Sequence, residues 1–135
     1  MIETLSIQTQ GPGLVNFTRQ VSSLVNQAGV SEGLCTVFVK HTSASLIIQE
    51  NADPDVTRDL EMAFRNVVSE DLPYRHTCEG PDDMPAHIKS ALTDVSLSIP
   101  VSNALPVLGT WQGVYLFEHR NHPHNRNIML QLMGS

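Results

Sequence analysis

The chain has 135 residues, 41% of them hydrophobic and 16% charged, with only 8 Lys and Arg and a formal net charge of −6. That length suits one domain whose core forms without staples, and the acidic balance, with no basic run, excludes the phosphate-neutralising stripe of a nucleic-acid or anionic-membrane binder. The charged share is low against a usual value of about 25%, which favours burying a face in an oligomer; no apolar run approaches the ~20 residues of a membrane span, and the start Met-Ile-Glu-Thr lacks the basic opening of a signal peptide, which points to the cytoplasm.

In chain order, Ile2 to Gln8 reads as a strand in which Leu5 and Ile7 share a face and Ile2 is out of step. Gly11-Pro12-Gly13 is a turn signal. A helix follows over 15–28, with Phe17, Val21, Leu24, Val25 and Ala28 on one face and Gly29 at its end. Gly33 to Lys40 is a β-branched run holding Cys35, which reads as a core residue. Ala44 to Gln49 is a second strand beside it. Thr42-Ser43 is too short for a crossover, so the chain kinks or bulges there.

Asp53-Pro54 opens a second helix, since Asp caps free amides and Pro is tolerated at the first helical position. Its apolar face is Val56, Leu60, Ala63, Phe64 and Val67. Residues 69–84 are loop-like, and Pro85 opens a short helix to Leu92. Val95, Leu97, Ile99 and Val101 alternate with Ser96, Ser98, Pro100 and Ser102, a strand with one core face. Trp111 to Glu118 and Asn127 to Met133 are two more strands, and Trp111 reads as core or interface packing. The last three strands are joined by loops too short for helical crossovers. The expected fold is therefore α+β: an antiparallel sheet or sandwich-like core, with two main helices and one short helix packed on it, in one domain spanning 1–135.

Polar residues of catalytic type cluster in three places. The first is His41-Thr42-Ser43, continuing to Glu50, Asn51 and Asp53; here helix capping explains Asp53 and turn formation explains Thr42 and Ser43. The second runs from His76 and Glu79 through Asp82 and Asp83 to His87 and Lys89, where a helix start also favours the two carboxylates. The third holds Gln112, Glu118, His119, Arg120, His122, His124 and Arg126, which reads equally as a charged hairpin tip. His41, His76 and His87 offer three imidazoles to one divalent metal with a position left open. Glu50, Asp53, Asp82, Asp83 and Glu118 offer carboxylates for magnesium instead. Arg120, Arg126 and Lys89 suit a phosphate or carboxylate. Ser43 has no G-x-S-x-G context, and no P-loop or dinucleotide glycine fingerprint appears, so no nucleotide cofactor is expected. Cys35 and Cys78 are far apart and fit no metal-ligand spacing.

At these clusters the sequence resembles the YjbQ-like family. The segments are His41-Thr-Ser-Ala-Ser-Leu-Ile-Ile-Gln-Glu50-Asn51-Ala-Asp53-Pro54-Asp55-Val56, then Glu79-Gly-Pro-Asp-Asp-Met-Pro-Ala-His87-Ile-Lys-Ser, then Gly109-Thr-Trp-Gln-Gly-Val-Tyr-Leu-Phe-Glu118-His-Arg. They occur in family order, and the resemblance spans nearly the whole chain. It implies an α+β fold with an antiparallel sandwich-like core, a homotrimer, and a secondary thiamine-phosphate synthase activity. That reaction joins a pyrimidine-methyl diphosphate to a thiazole phosphate and releases pyrophosphate.

On this reading the catalytic candidates are His41, Ser43, Glu50, His87 and Glu118. Thr42, Asn51, Lys89, Gln112, Arg120 and Arg126 are candidates for binding a small phosphorylated substrate. His41, His76 and His87, with Asp83, are candidates for a divalent metal, Mg or Zn. The rival readings are a His-liganded metal-dependent hydrolase and a non-catalytic module binding a small anionic metabolite. The C-terminus departs from the family pattern. Pro123-His124 stands for paired glycines, Asn127 for the second of two arginines, and Met133-Gly134-Ser135 for Gln-Gly-Glu. The missing arginine weakens a two-pronged diphosphate clamp.

Overall fold

The computed structural model describes residues 1–135. Eight strands and three helices follow in the order β1 (Ile2–Thr9), β2 (Gly13–Asn16), α1 (Thr18–Gln27), β3 (Gly33–Val39), β4 (Ala44–Glu50), α2 (Pro54–Val67), α3 (Asp83–Leu92), β5 (Ser96–Ser102), β6 (Leu105–Pro106), β7 (Gln112–Glu118) and β8 (His124–Gly134). They form a five-stranded sheet, β1-β8-β3-β5-β6, and a three-stranded sheet, β2-β7-β4. Every pairing is antiparallel, as the short connections predict.

The two sheets face each other. Alternate residues Cys35, Val37, Val39, Leu97, Ile99, Val101, Ile128, Leu130 and Leu132 of the larger sheet meet Ala44, Leu46, Val114 and Leu116 of the smaller one. Phe17, Val21 and Val25 bring α1 into the same core. Each large aliphatic side chain buried here contributes about 1.5–3 kcal/mol, less the entropy of ordering it. Helices α2 and α3 cover the outer face of the smaller sheet: Phe64 meets Phe117 edge-on at 5.2 Å, and Ser90 Oγ donates to the Ala44 carbonyl. No helix is long and apolar enough to cross a membrane.

Three local readings change. Residues 15–16, expected to open the helix, instead end β2, because residues 13–16 pair with β7 at its edge and Asn16 Oδ1 accepts from the Thr18 N–H and hydroxyl. A residue that satisfies the free amides of a helix start ends the strand and begins the helix. Strand β4 does not lie beside β3; the kink at Thr42-Ser43 carries the chain from one sheet to the other, and β4 pairs with β7. Val95 is exposed and outside the core, and the exposure of Trp111 removes the core alternative of its reading while keeping the interface one. The second helix starts as the sequence predicts: Asp53 Oδ1 accepts from the Asp55 N–H at 2.9 Å, with Pro54 in the first turn. Its apolar stripe is shallow, however, with no α2 residue fully buried.

Candidate functional site

The start of α3 organises the polar cluster. Asp82 and Asp83 stand where the helix dipole favours negative charge, yet Asp82 makes no side-chain cap. Both carboxylates turn instead to Arg120, whose Nε donates to Asp82 Oδ2 at 2.9 Å and whose Nη1 lies 2.8 Å from Asp83 Oδ1. Arg120 also donates to the Glu79 carbonyl. The i, i+4 spacing puts His87 on the same helical face as Asp83. The loop before α3 brings in His76. Asp83 Oδ2 is 2.6 Å from His76 Nε2 and 3.0 Å from His87 Nε2, and the three ligand atoms lie within 4.8 Å of one another. Burial alone would raise the Asp83 carboxyl, but His76, His87 and Arg120 together hold its pKa below the usual carboxylate value.

The orientation of His87 follows from its other nitrogen. Nδ1 is 2.8 Å from the Thr42 carbonyl, which only accepts, so Nδ1 carries a proton. Nε2 in turn faces the Asp83 Oδ2 carboxylate oxygen. A proton on Nε2, or a cation bound between Nε2 and Oδ2, satisfies this 3.0 Å contact. Asp83 is buried, while the His76 and His87 side chains are 44% and 31% exposed, so the cluster is open to solvent on one side.

Behind this cluster lies a buried ion pair. Glu118 is 0% and Arg126 3% exposed. Arg126 Nε donates to Glu118 Oε1 at 2.8 Å, and an Nη2 contact to Oε2 makes the pair two-pronged. The Thr9 hydroxyl donates to Oε1 at 2.7 Å, and the His119 and Arg120 backbone N–H groups donate to Oε2. Burial pushes the Glu118 carboxyl up. These donors outweigh it and hold the pKa below the usual glutamate value. Arg126 Nη2 also donates to the Ser43 carbonyl and to Ser43 Oγ.

His119, a member of the third cluster to which the motifs assign no role of its own, is buried. Its Nε2 is 2.8 Å from Ser45 Oγ, Ser45 Oγ meets Thr93 Oγ1, and Thr93 Oγ1 meets the Lys89 carbonyl. One proton arrangement makes all three contacts hydrogen bonds: Thr93 donates to the carbonyl, Ser45 to Thr93, and His119 Nε2–H to Ser45. Nδ1 then carries a lone pair and has no partner. Desolvation takes the His119 pKa down to about 3. The clue in the sequence is the unbroken run Val114 to Phe117, which passes into Glu118-His119 with no turn residue; a strand covered on both faces buries whatever continues it.

The remaining predicted site residues fall elsewhere. His41 does not join His76 and His87: its Nε2 accepts from the Asn127 N–H at 2.8 Å, and burial with the nearby Arg126 lowers its pKa. Glu50 accepts from the Ala52 and Asp53 N–H groups and so prepares the α2 start. Asn51 donates to the Thr110 and Gln112 carbonyls, and Gln112 accepts from the Gly109 N–H, which closes a turn. These contacts fix backbone and sit apart from the cluster. Lys89 lines a separate enclosed cavity of about 50 Å³ with His119, Asp82 and Glu61. Arg120 and Arg126 are both spent on carboxylates within the chain, so neither is a free phosphate clamp. Ser43 is buried against Arg126 and is not poised as a nucleophile. The carboxylates predicted for magnesium do not gather either; Asp83 alone of them joins the histidines.

Comparison with known proteins agrees with this architecture. The family model described as UPF0047 protein YjbQ-like matches residues 3–135. A UPF0047 protein of Synechocystis is 57% identical over 133 residues, covering 98% of this chain and 90% of that protein. The UPF0047 protein YjbQ of Escherichia coli is 42% identical over 133 residues, covering 98% and 96%. A crystal structure of a YjbQ/UPF0047 family protein from Clostridium acetobutylicum superposes with a TM-score of 0.90 at 36% identity, covering 97% of this chain and 99% of that one.

Proposed function

We propose that this chain, which belongs to the UPF0047 YjbQ-like family, is an enzyme that acts on a small phosphorylated molecule through a divalent transition metal held by His76, Asp83 and His87. The observation that carries the reading is the His87 ring, whose Nδ1–H is tied to the Thr42 carbonyl while Nε2 faces the Asp83 carboxylate. Metal-binding histidines are oriented by such a hydrogen bond from the other nitrogen. Two imidazoles and one carboxylate suit zinc or a neighbouring transition metal better than magnesium, which prefers oxygen. The exposed side of His76 and His87 leaves positions for water and a substrate oxygen.

Hydrolysis is the simplest chemistry for this arrangement. The metal would polarise a phosphoryl oxygen or lower the pKa of a bound water, and the residues of the chain would orient it: Thr42 fixes His87, and Arg120 fixes Asp83. The thiamine-phosphate synthase reaction is the second reading. It needs charge stabilisation on departing pyrophosphate, and with Arg120 and Arg126 already paired, the metal would have to supply most of it. Protein purified without chelator should carry about one transition metal per chain, and His87→Ala or His76→Ala should lose it. The loaded protein is then assayed on phosphate monoesters and on the two thiamine-phosphate precursors. Absence of both metal and turnover in the wild-type chain would refute the proposal.

The resemblance to a trimeric family also has a physical counterpart. The outer face of the five-stranded sheet is uncovered, and its outward residues include Ile2, Leu34, Phe38, Met129 and Met133 among Thr, Ser, Asn and Gln, with no charged side chain. A contiguous uncharged face of this kind suits contact with further copies of the chain. Sedimentation should give the mass of a trimer, and Phe38→Glu should shift it toward monomer. A wild-type monomer at micromolar concentration would remove this expectation.

A further inference from the structure

The buried Glu118–Arg126 pair does not reach the surface, so it cannot touch a substrate, and the desolvation of two charges makes such a pair weak as a source of stability. Its contacts point to another use. From one side, Arg126 Nη2 grips the carbonyl and hydroxyl of Ser43 at 3.2 and 3.0 Å, and the His119 N–H donates to the same carbonyl. The next residue back is Thr42, whose carbonyl holds His87 Nδ1. From the other side, Glu118 Oε2 accepts from the N–H groups of His119 and Arg120. That fixes the chain direction from which Arg120 reaches Asp82 and Asp83. One ion pair therefore sets both the group that orients His87 and the group that orients Asp83.

We infer that Glu118 and Arg126 are positioning residues of the His76–Asp83–His87 centre, acting through the Thr42-Ser43 backbone and through Arg120. The inference rests on the metal reading for its functional meaning. Its geometry stands without metal, since the Thr42 carbonyl holds the Nδ1–H whether a proton or a cation joins Nε2 to Asp83.

The test uses two variants, Glu118→Gln and the double Glu118→Gln/Arg126→Met, so that one survives if an unpaired buried charge prevents folding of the other. A core truncation remote from the polar groups, Val37→Ala, controls for lost stability. In metal-free protein, ¹⁵N chemical shifts of the His87 ring should report a protonated, hydrogen-bonded Nδ1 in wild type and in Val37→Ala, and a mixture of Nδ1 protonation states in the Glu118 variants. Zinc affinity by chelator competition should fall about 10–100-fold in the same variants, the usual cost of losing a group that orients a ligand, and by less than twofold in Val37→Ala. Unchanged Nδ1 protonation and affinity in a folded Glu118 variant would overturn the inference while leaving the metal reading intact. A wild-type chain without zinc affinity would remove the metal reading, and the ¹⁵N measurement would still decide the positioning role.

Discussion

Arg126→Met is expected to cost about 3–5 kcal/mol of folding stability, the penalty for leaving one charge of a buried pair unpaired. Glu118 is fully buried and would keep only the Thr9 hydroxyl and two backbone N–H groups as hydrogen-bond partners, with His124 Nδ1 3.9 Å away. Neutralising the carboxyl as well, in Glu118→Gln/Arg126→Met, should recover a large part of the loss, because the uncompensated charge is gone and the amide oxygen still accepts. Urea unfolding of the single and double variants measures this directly, and the shortfall from additivity gives the coupling. If the single variant lost no more than a surface substitution, about 0.5 kcal/mol, the pair would be too well hydrated to act as described.

The second large effect is in acid. His119 is 2% exposed and its pKa lies at about 3, whereas the unfolded chain binds a proton near 6.5. Its folded pKa is thus depressed, so the unfolded state holds the extra proton between these values. The stability it contributes is complete above about 6.5 and is lost at up to 1.4 kcal/mol per pH unit as the pH falls toward 3. Glu118 acts in the same direction with a lower onset: its folded pKa is also depressed, so its contribution starts to fall only below the ordinary glutamate value. Between pH 6.5 and 5 the slope therefore includes His119 and not Glu118. Thermal melts over that window should show a steady fall in wild type and a shallower one in His119→Gln, whose amide nitrogen can still donate to Ser45. Equal slopes in the two proteins would contradict a neutral, desolvated imidazole.

Much of the scaffold is legible in the sequence because burial and turn chemistry act locally. The alternation of Leu97, Ile99 and Val101 gives β5, and Asp53-Pro54 gives the α2 start. The short links give antiparallel pairing. Sheet membership is not local. Nothing within Gly33–Glu50 says that β3 and β4 part company at Thr42-Ser43, since that depends on β7 being free to pair with β4. The same holds for the polar residues. Whether the segments around 41, 79 and 118 meet in space is not legible in the sequence, and composition could not separate the exposed His76–Asp83–His87 group from the buried Glu118–Arg126 pair. It could not show that both arginines are already neutralised either. His41 illustrates the limit: a histidine at a strand end suits a ligand equally well, and only the Asn127 N–H pointing at its Nε2 decides otherwise.

Three connections cross from one sheet to the other at the same end of the sandwich: residues 10–12 between β1 and β2, 40–43 between β3 and β4, and 119–123 between β7 and β8. The second and third are pinned together by the His119 and Arg126 contacts to Ser43, which makes this end the more heavily tied spine, while the opposite end is crossed directly only by residues 107–111 between β6 and β7. Opening of the sandwich then starts at the less tied end, so amides near Ser43 and His119 should be among the slowest in the molecule to exchange with solvent. A centre mounted on the spine keeps its spacing while the rest of the fold flexes.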